Sequence, residues 1–181
     1  NYWMHNGRVD LVGEKMSKSL GNIVWTDDLV DKYGYPIVRF MILNVPYRQP
    51  LNYKEELIEQ VKTDYEKIYR AMVGLIRRLQ LNFNETDYQT EITQPELIAL
   101  NDEFIAALSD DFNTPNAITV IFKLVKLINN LIRQKDVEMK IIKEHITLLQ
   151  KMLWVLGIDE EIKPLTEEDL ALVRAWHAAR D

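Results

Sequence analysis

KEELIEQVKTDYEKIYRAMVGLIRRLQ, residues 54–80, decides how this chain folds. Within it Leu57, Val61, Tyr65, Ile68, Met72, Leu75 and Leu79 recur at spacings of four and three. That period lays one continuous apolar stripe along an α-helix, whereas side chains on a strand alternate with period two. Just upstream, YRQPLNY (47–53) breaks the pattern, because Pro50 cannot sit in a helix interior. The long helix therefore starts near residue 54.

Downstream, NFNETDYQTEITQ (82–94) is polar and aperiodic and reads as a connecting loop. Pro95 opens the next helix, which runs to about Ser109. DDFNTP (110–115) is a stop-and-restart signal of carboxylates, a cap candidate and a proline. Asp110 and Asp111 look like paired acids, but their place before a helix start suits capping and the helix dipole better than proton transfer. Residues 115–134 are apolar almost all round and read as a central helix. Residues 137–156 form another, closed by Gly157, and Thr166 with Asp169 resembles a capping box for a last helix. Trp154 and Trp176, with Leu and Val neighbours at helical spacing, are expected in the core.

Upstream, residues 1–14 read as an extended segment with a turn at Gly13. Thr26 is placed to cap a short helix that Gly34 ends, and Pro36 starts a buried helix that lasts until Pro46. The expected fold is mainly α: a lysine–serine loop and a small module, then an antiparallel helical bundle.

The chain has 181 residues, 47% of them hydrophobic, and no cysteine. It therefore has no disulfide, no thiolate ligand and no thiol nucleophile, a composition that suits a reducing cytosol. No apolar run in the sequence approaches the roughly 20 residues of a membrane span, and the first residues lack the pattern of a signal peptide. They read as chain already inside a fold. The net charge of −6 argues against a general nucleic-acid binder. Residues 1–80 nevertheless carry +2 and residues 81–181 carry −8, so a phosphate-facing surface belongs in the first half.

The first half holds EKMSKSLGN (14–22). The ammonium groups of Lys15 and Lys18 can neutralise phosphate oxygens, while Ser17, Ser19 and backbone N–H groups add hydrogen bonds. Gly21 permits unusual dihedrals. A lysine at a departing pyrophosphate stabilises the transition state more than the ground state. A solvated surface loop is the plain alternative for so short a stretch.

YWMHNGRVDLVGEKMSKSLGN (2–22), YRQPLNY and DDFNTP, taken in order, resemble the class I aminoacyl-tRNA synthetases and, among them, the cysteinyl-tRNA synthetase family. The resemblance covers most of residues 1–156. It implies ATP-dependent activation of cysteine to cysteinyl-AMP and transfer to tRNA(Cys), by a cytoplasmic and monomeric ligase. Lys15 and Lys18 would be catalytic, Lys18 on the ATP phosphates with Ser17 and Ser19 as further partners and Lys15 shaping the loop. Residues 1–24 would end the catalytic domain, 25–53 would form the stem-contact region, and 54–181 the anticodon-side bundle.

Arg48 could meet tRNA phosphate or pair with a carboxylate, with Tyr47 packing beside it. Arg70, Arg77 and Arg78 could track the tRNA backbone, along with Lys62 and Lys67, or form the solvated face of their helix. The family's HIGH signature and its zinc ligands are absent, and a lone His5 reads as a packing or hydrogen-bonding residue. Zinc is expected only in a domain upstream, and the chain is expected to be a portion of the synthetase, inactive alone. Two other readings are a ligase that couples cysteine to an amino sugar and another class I synthetase, such as the methionyl enzyme.

Overall fold

A computed structural model describes residues 3–17, 19 and 21–179. Its elements in chain order are β1 (Val9–Leu11), β2 (Glu14–Lys15), α1 (Thr26–Tyr33), α2 (Tyr35–Leu43), β3 (Leu51–Tyr53), α3 (Glu55–Phe83), α4 (Pro95–Ser109), α5 (Thr114–Arg133), α6 (Met139–Leu156) and α7 (Glu167–Ala178).

The 54–80 pattern forms α3, 29 residues long. Its buried face is wider than the stripe of seven, since Ile58, Ala71 and Ile76 are buried too while Leu57 is half-buried. The reason is tertiary: α3 packs against α2, α5 and α6 at once, so no narrow seam suffices. Phe40 of α2 meets Tyr65 of α3 with ring centroids 5.9 Å apart and planes tilted by 57°. α5 is central as expected, with Ile121, Leu124 and Ile128 fully buried. It nevertheless carries a polar edge of Thr119, Lys123, Lys126, Asn129 and Asn130. By length and composition α5 could cross a bilayer, yet its apolar face is taken by α3, α4 and α6.

The three strands form one small sheet in the order β2-β1-β3. β1 and β2 are an antiparallel hairpin joined by Val12 and Gly13, both at positive φ (51° and 86°). A two-residue turn of this hand matches strand twist, but it costs the β-branched Val12 strain. Tyr53 and Asn52 of β3 hold it: the Tyr53 carbonyl accepts from Val12 N–H (3.1 Å) and Asn52 Oδ1 accepts from Gly13 N–H (2.7 Å). β3 lies parallel to β1, with Val9 opposite Leu51. Gly7 sits against the 47–50 turn so closely that an added Cβ would lie 2.1 Å from the Gln49 carbonyl oxygen. Gly7→Ala is expected to lower unfolding stability by about 2 kcal/mol, measured by urea titration, because backbone on backbone cannot yield as a side chain would.

Several expectations need correction. Thr26 does not cap α1: the N-cap is the extended Trp25, with no side-chain cap bond, and Thr26 is already the first helical residue. α2 ends at Leu43, before Pro46, where Asn44 Nδ2 donates to the Phe40 carbonyl (2.8 Å). Trp154 and Trp176 are not core residues; they are 69% and 56% exposed. Their helices turn Leu153, Leu156 and Leu170 inward instead, and a helix face can serve the core only once. At α7, Thr166 and Asp169 do form the reciprocal box: Thr166 N–H donates to Asp169 Oδ2 (3.0 Å) and Asp169 N–H to Thr166 Oγ1 (3.1 Å).

Candidate functional site

The lysine–serine loop leaves the sheet at β2, so the hairpin sets where it starts. Lys15 is exposed at the end of that strand. Asn22 closes the loop: its Oδ1 accepts from Ser17 N–H (2.9 Å) and its Nδ2 donates to the Lys15 carbonyl (3.3 Å). The Ser17 and Ser19 hydroxyls hydrogen-bond each other at 2.7 Å, and Gly21 has φ 67°. Lys18 lies outside the described residues. Asn22 therefore fixes Lys15 and Ser17, on the near side of the loop, from its far side. Only its position in the quoted stretch hinted at it, since an Asn after Gly reads equally as a turn residue.

A second cluster joins the other two motifs. Asp111, in the corner between α4 and α5, accepts from Arg48 Nε (Oδ2, 2.8 Å), from Arg48 Nη2 (Oδ1, 3.2 Å) and from the Tyr47 hydroxyl (Oδ1, 2.8 Å). Of the two readings of Arg48, the carboxylate pair is the one the geometry contains. The Arg48 guanidinium and the Tyr47 hydroxyl hold the Asp111 carboxyl below its usual range. The same carboxylate raises Tyr47 and Arg48 above theirs. Asp111 is thus not the cap of α5. That cap is Asn113, whose Oδ1 accepts from Asn116 N–H (3.2 Å), and Asp111 is bound across the fold.

The arginines of α3 divide. Arg70 is exposed and paired with Glu66 one turn earlier (2.8 Å). Arg77 donates to Gln80 (3.3 Å). Arg78 is committed elsewhere: it donates to the carbonyls of Leu131 (2.8 Å), Ile132 (2.9 Å), Gln134 and Lys135 (3.0 Å). A cation on the free carbonyls at the end of α5 satisfies groups that the helix itself leaves unpaired. It is neither a solvated side chain nor a free phosphate ligand.

His5 is exposed, and among the described residues no group of three His, Cys, Asp or Glu side chains is arranged to hold a metal. These residues do not fit a zinc site. A groove of about 410 Å³ runs between residues 4–9, the end of α2, the 45–51 segment and Phe112.

Two family profiles match the chain: one described as tRNA synthetases class I (C) catalytic domain over residues 1–63, and a DALR domain over residues 103–160. The chain is 40% identical to the cysteine–tRNA ligase of Brevibacillus brevis over 182 residues, 99% of this chain and 39% of that protein. It is 36% identical to the cysteine–tRNA ligase of Geobacillus sp. WCH70, again over 99% of this chain and 38% of the relative. The chain thus spans less than half the length of these curated relatives. Among solved structures, the leucyl enzyme in the ternary LeuRS-tRNA-LeuAMS complex of Agrobacterium radiobacter K84 agnB2 superposes with a TM-score of 0.66. At 19% identity, over 91% of this chain and 24% of the other, that likeness speaks for the fold.

Proposed function

We propose, from the premise that this chain belongs to the cysteinyl-tRNA synthetase family, that it supplies the phosphate-side loop and the tRNA-side helical body of a cysteine–tRNA ligase. The protein around it would activate cysteine with ATP to cysteinyl-AMP and pass the cysteinyl group to tRNA(Cys), in the cytoplasm and as a monomer. Lys15 and Lys18 serve the ATP phosphates, Ser17 and Ser19 donate hydrogen bonds beside them, and Asn22 holds the loop closed. Residues 1–24 belong to the catalytic half, 25–53 bridge it to the helices, and 54–181 face the anticodon side. On α3, exposed Arg70 and half-buried Arg77 would meet tRNA phosphate, whereas Arg78 holds the end of α5. No step here runs through zinc, whose ligands belong to a different part of the protein.

One observation carries this reading: the loop continues from a sheet pinned to a helical body, and the chain is 40% identical over 99% of its length to a cysteine–tRNA ligase. In a full-length protein containing this chain, ATP–pyrophosphate exchange should depend on cysteine and respond to neither methionine nor serine. Aminoacylation should be confined to tRNA(Cys). Exchange driven by methionine, or transfer to an amino sugar instead of tRNA, would overturn it. The chain by itself should show no exchange and only weak tRNA binding that falls steeply with salt.

A further inference from the structure

We infer that Asp111 is a positioning residue: its carboxylate clasps Tyr47 and Arg48 and so holds the loop-bearing sheet and the helical body in one orientation, the one in which tRNA engages both. The inference rests on the proposed tRNA-docking role and deepens it.

The clasp sits at the far end of an unbroken hydrogen-bonded path to the lysine–serine loop. Asp111 binds the Tyr47 hydroxyl and both Arg48 donors. The Tyr47 carbonyl accepts from Gly7 N–H at 2.6 Å, and the Arg8 carbonyl accepts from Leu51 N–H at 2.9 Å. β1 follows, paired with β3 on one side and β2 on the other, and Lys15 lies opposite Asp10. Asn22 then ties the Lys15 carbonyl to Ser17. On the helical side, Thr114 Oγ1 donates to the Leu43 carbonyl (2.6 Å), a second bridge beside the clasp.

The corner is closed by backbone bonds at the end of α4, Phe112 N–H to the Leu108 carbonyl (3.2 Å) and Asn113 N–H to the Ala107 carbonyl (3.2 Å), and this closure sets the direction of the Asp111 side chain. Asp111 and Phe112 are consecutive non-glycine residues in the left-handed region, at φ 51° and 54°. Such conformations persist only where surrounding contacts impose them. Here they aim the carboxylate at Tyr47 and Arg48 and leave Phe112, 57% exposed, on the edge of the groove next to Tyr47. An exposed ion pair adds little to stability, so three bonds on one carboxylate at a strained corner point to orientation as their role.

The absence of cysteine makes the test direct. Glu14→Cys on the sheet and Ile105→Cys on α4 accept paired spin labels in the chain as it stands. Asp111→Asn keeps a side chain that tolerates the left-handed region, and Arg48→Ala removes the partner. The reference pair should give one narrow distance distribution. Each single variant should broaden it and weaken binding of a tRNA(Cys) transcript about 5-fold to 10-fold, and the double variant should add nothing further. Unchanged far-UV circular dichroism separates this from unfolding. Narrow distributions in both single variants would overturn the clasp, as would Arg48→Ala weakening tRNA while Asp111→Asn does not, since Arg48 would then contact tRNA itself. Broadening in a chain whose reference form binds no tRNA(Cys) would support the clasp and overturn the docking role it rests on.

Discussion

Cysteine-dependent pyrophosphate exchange is expected to fall about 100-fold to 1000-fold when Lys18 becomes Ala in a full-length synthetase carrying this sequence. As the cysteine carboxylate oxygen bonds to the α-phosphorus and the bond to pyrophosphate breaks, negative charge grows on the departing pyrophosphate oxygens. A lysine held there gains more from the transition state than from bound ATP. The loss should therefore appear in the exchange rate constant, with the KM for ATP moving little. Lys18→Arg, which keeps the charge on a differently shaped head, should recover part of the rate. Among the described residues of the loop, Asn22 holds Ser17 and the Lys15 carbonyl. Exchange that survives Lys18→Ala unchanged would remove the lysine from the proposed mechanism.

Glu144→Ala should cost about 3 kcal/mol of unfolding stability at neutral pH, the largest effect expected outside the loop. Glu144 is 1% exposed on α6 and accepts from Thr93 N–H (2.9 Å), Thr93 Oγ1 (2.9 Å) and Gln94 N–H (3.0 Å). It thereby stands in for the cap that Gln94 does not supply to α4 and anchors the 84–94 connection on the bundle. Burial pushes its carboxyl up, but the hydrogen bonds from Thr93 and Gln94 outweigh burial and leave it below the ordinary 4.5. A carboxyl depressed by folding contributes fully above its unfolded value, and its contribution fades as pH falls through the folded one. Urea titrations should thus show the gap between parent and Glu144→Ala intact at pH 7 and shrinking as pH falls below that ordinary 4.5. A gap that stays constant with pH would mean the loss is packing alone.

Local pattern made most of the helices legible. Pro95 and Ser109 bound α4 as expected, Gly157 closes α6 in the left-handed region (φ 65°), and the Thr166–Asp169 box forms with Asp in place of Glu. Each of these signals acts over one turn of helix, a distance at which residue spacing and spatial spacing agree. Trp154 misled because an aromatic beside Leu and Val carries no sign of which way its helix faces; Leu153 and Leu156 took the inward side. Arg78 and Arg70 lie on one helix eight residues apart, and only the end of α5, 53 residues downstream of Arg78, separates a half-buried cap from a surface ion pair.

By itself the sequence determined the mainly helical architecture, the position of the lysine–serine loop before it, and the family resemblance that both comparisons with relatives uphold. Those features rest on periodicity, caps and contiguous motifs, all of them local. Only the tertiary structure decided that Asp111 leaves the start of α5 to Asn113 and binds Tyr47 and Arg48 instead. That choice pits a local hydrogen bond against partners 63 and 64 residues away. Its outcome depends on the bundle first bringing the two corners within 3 Å, because a carboxylate bonds whatever donors the packed backbone places in reach.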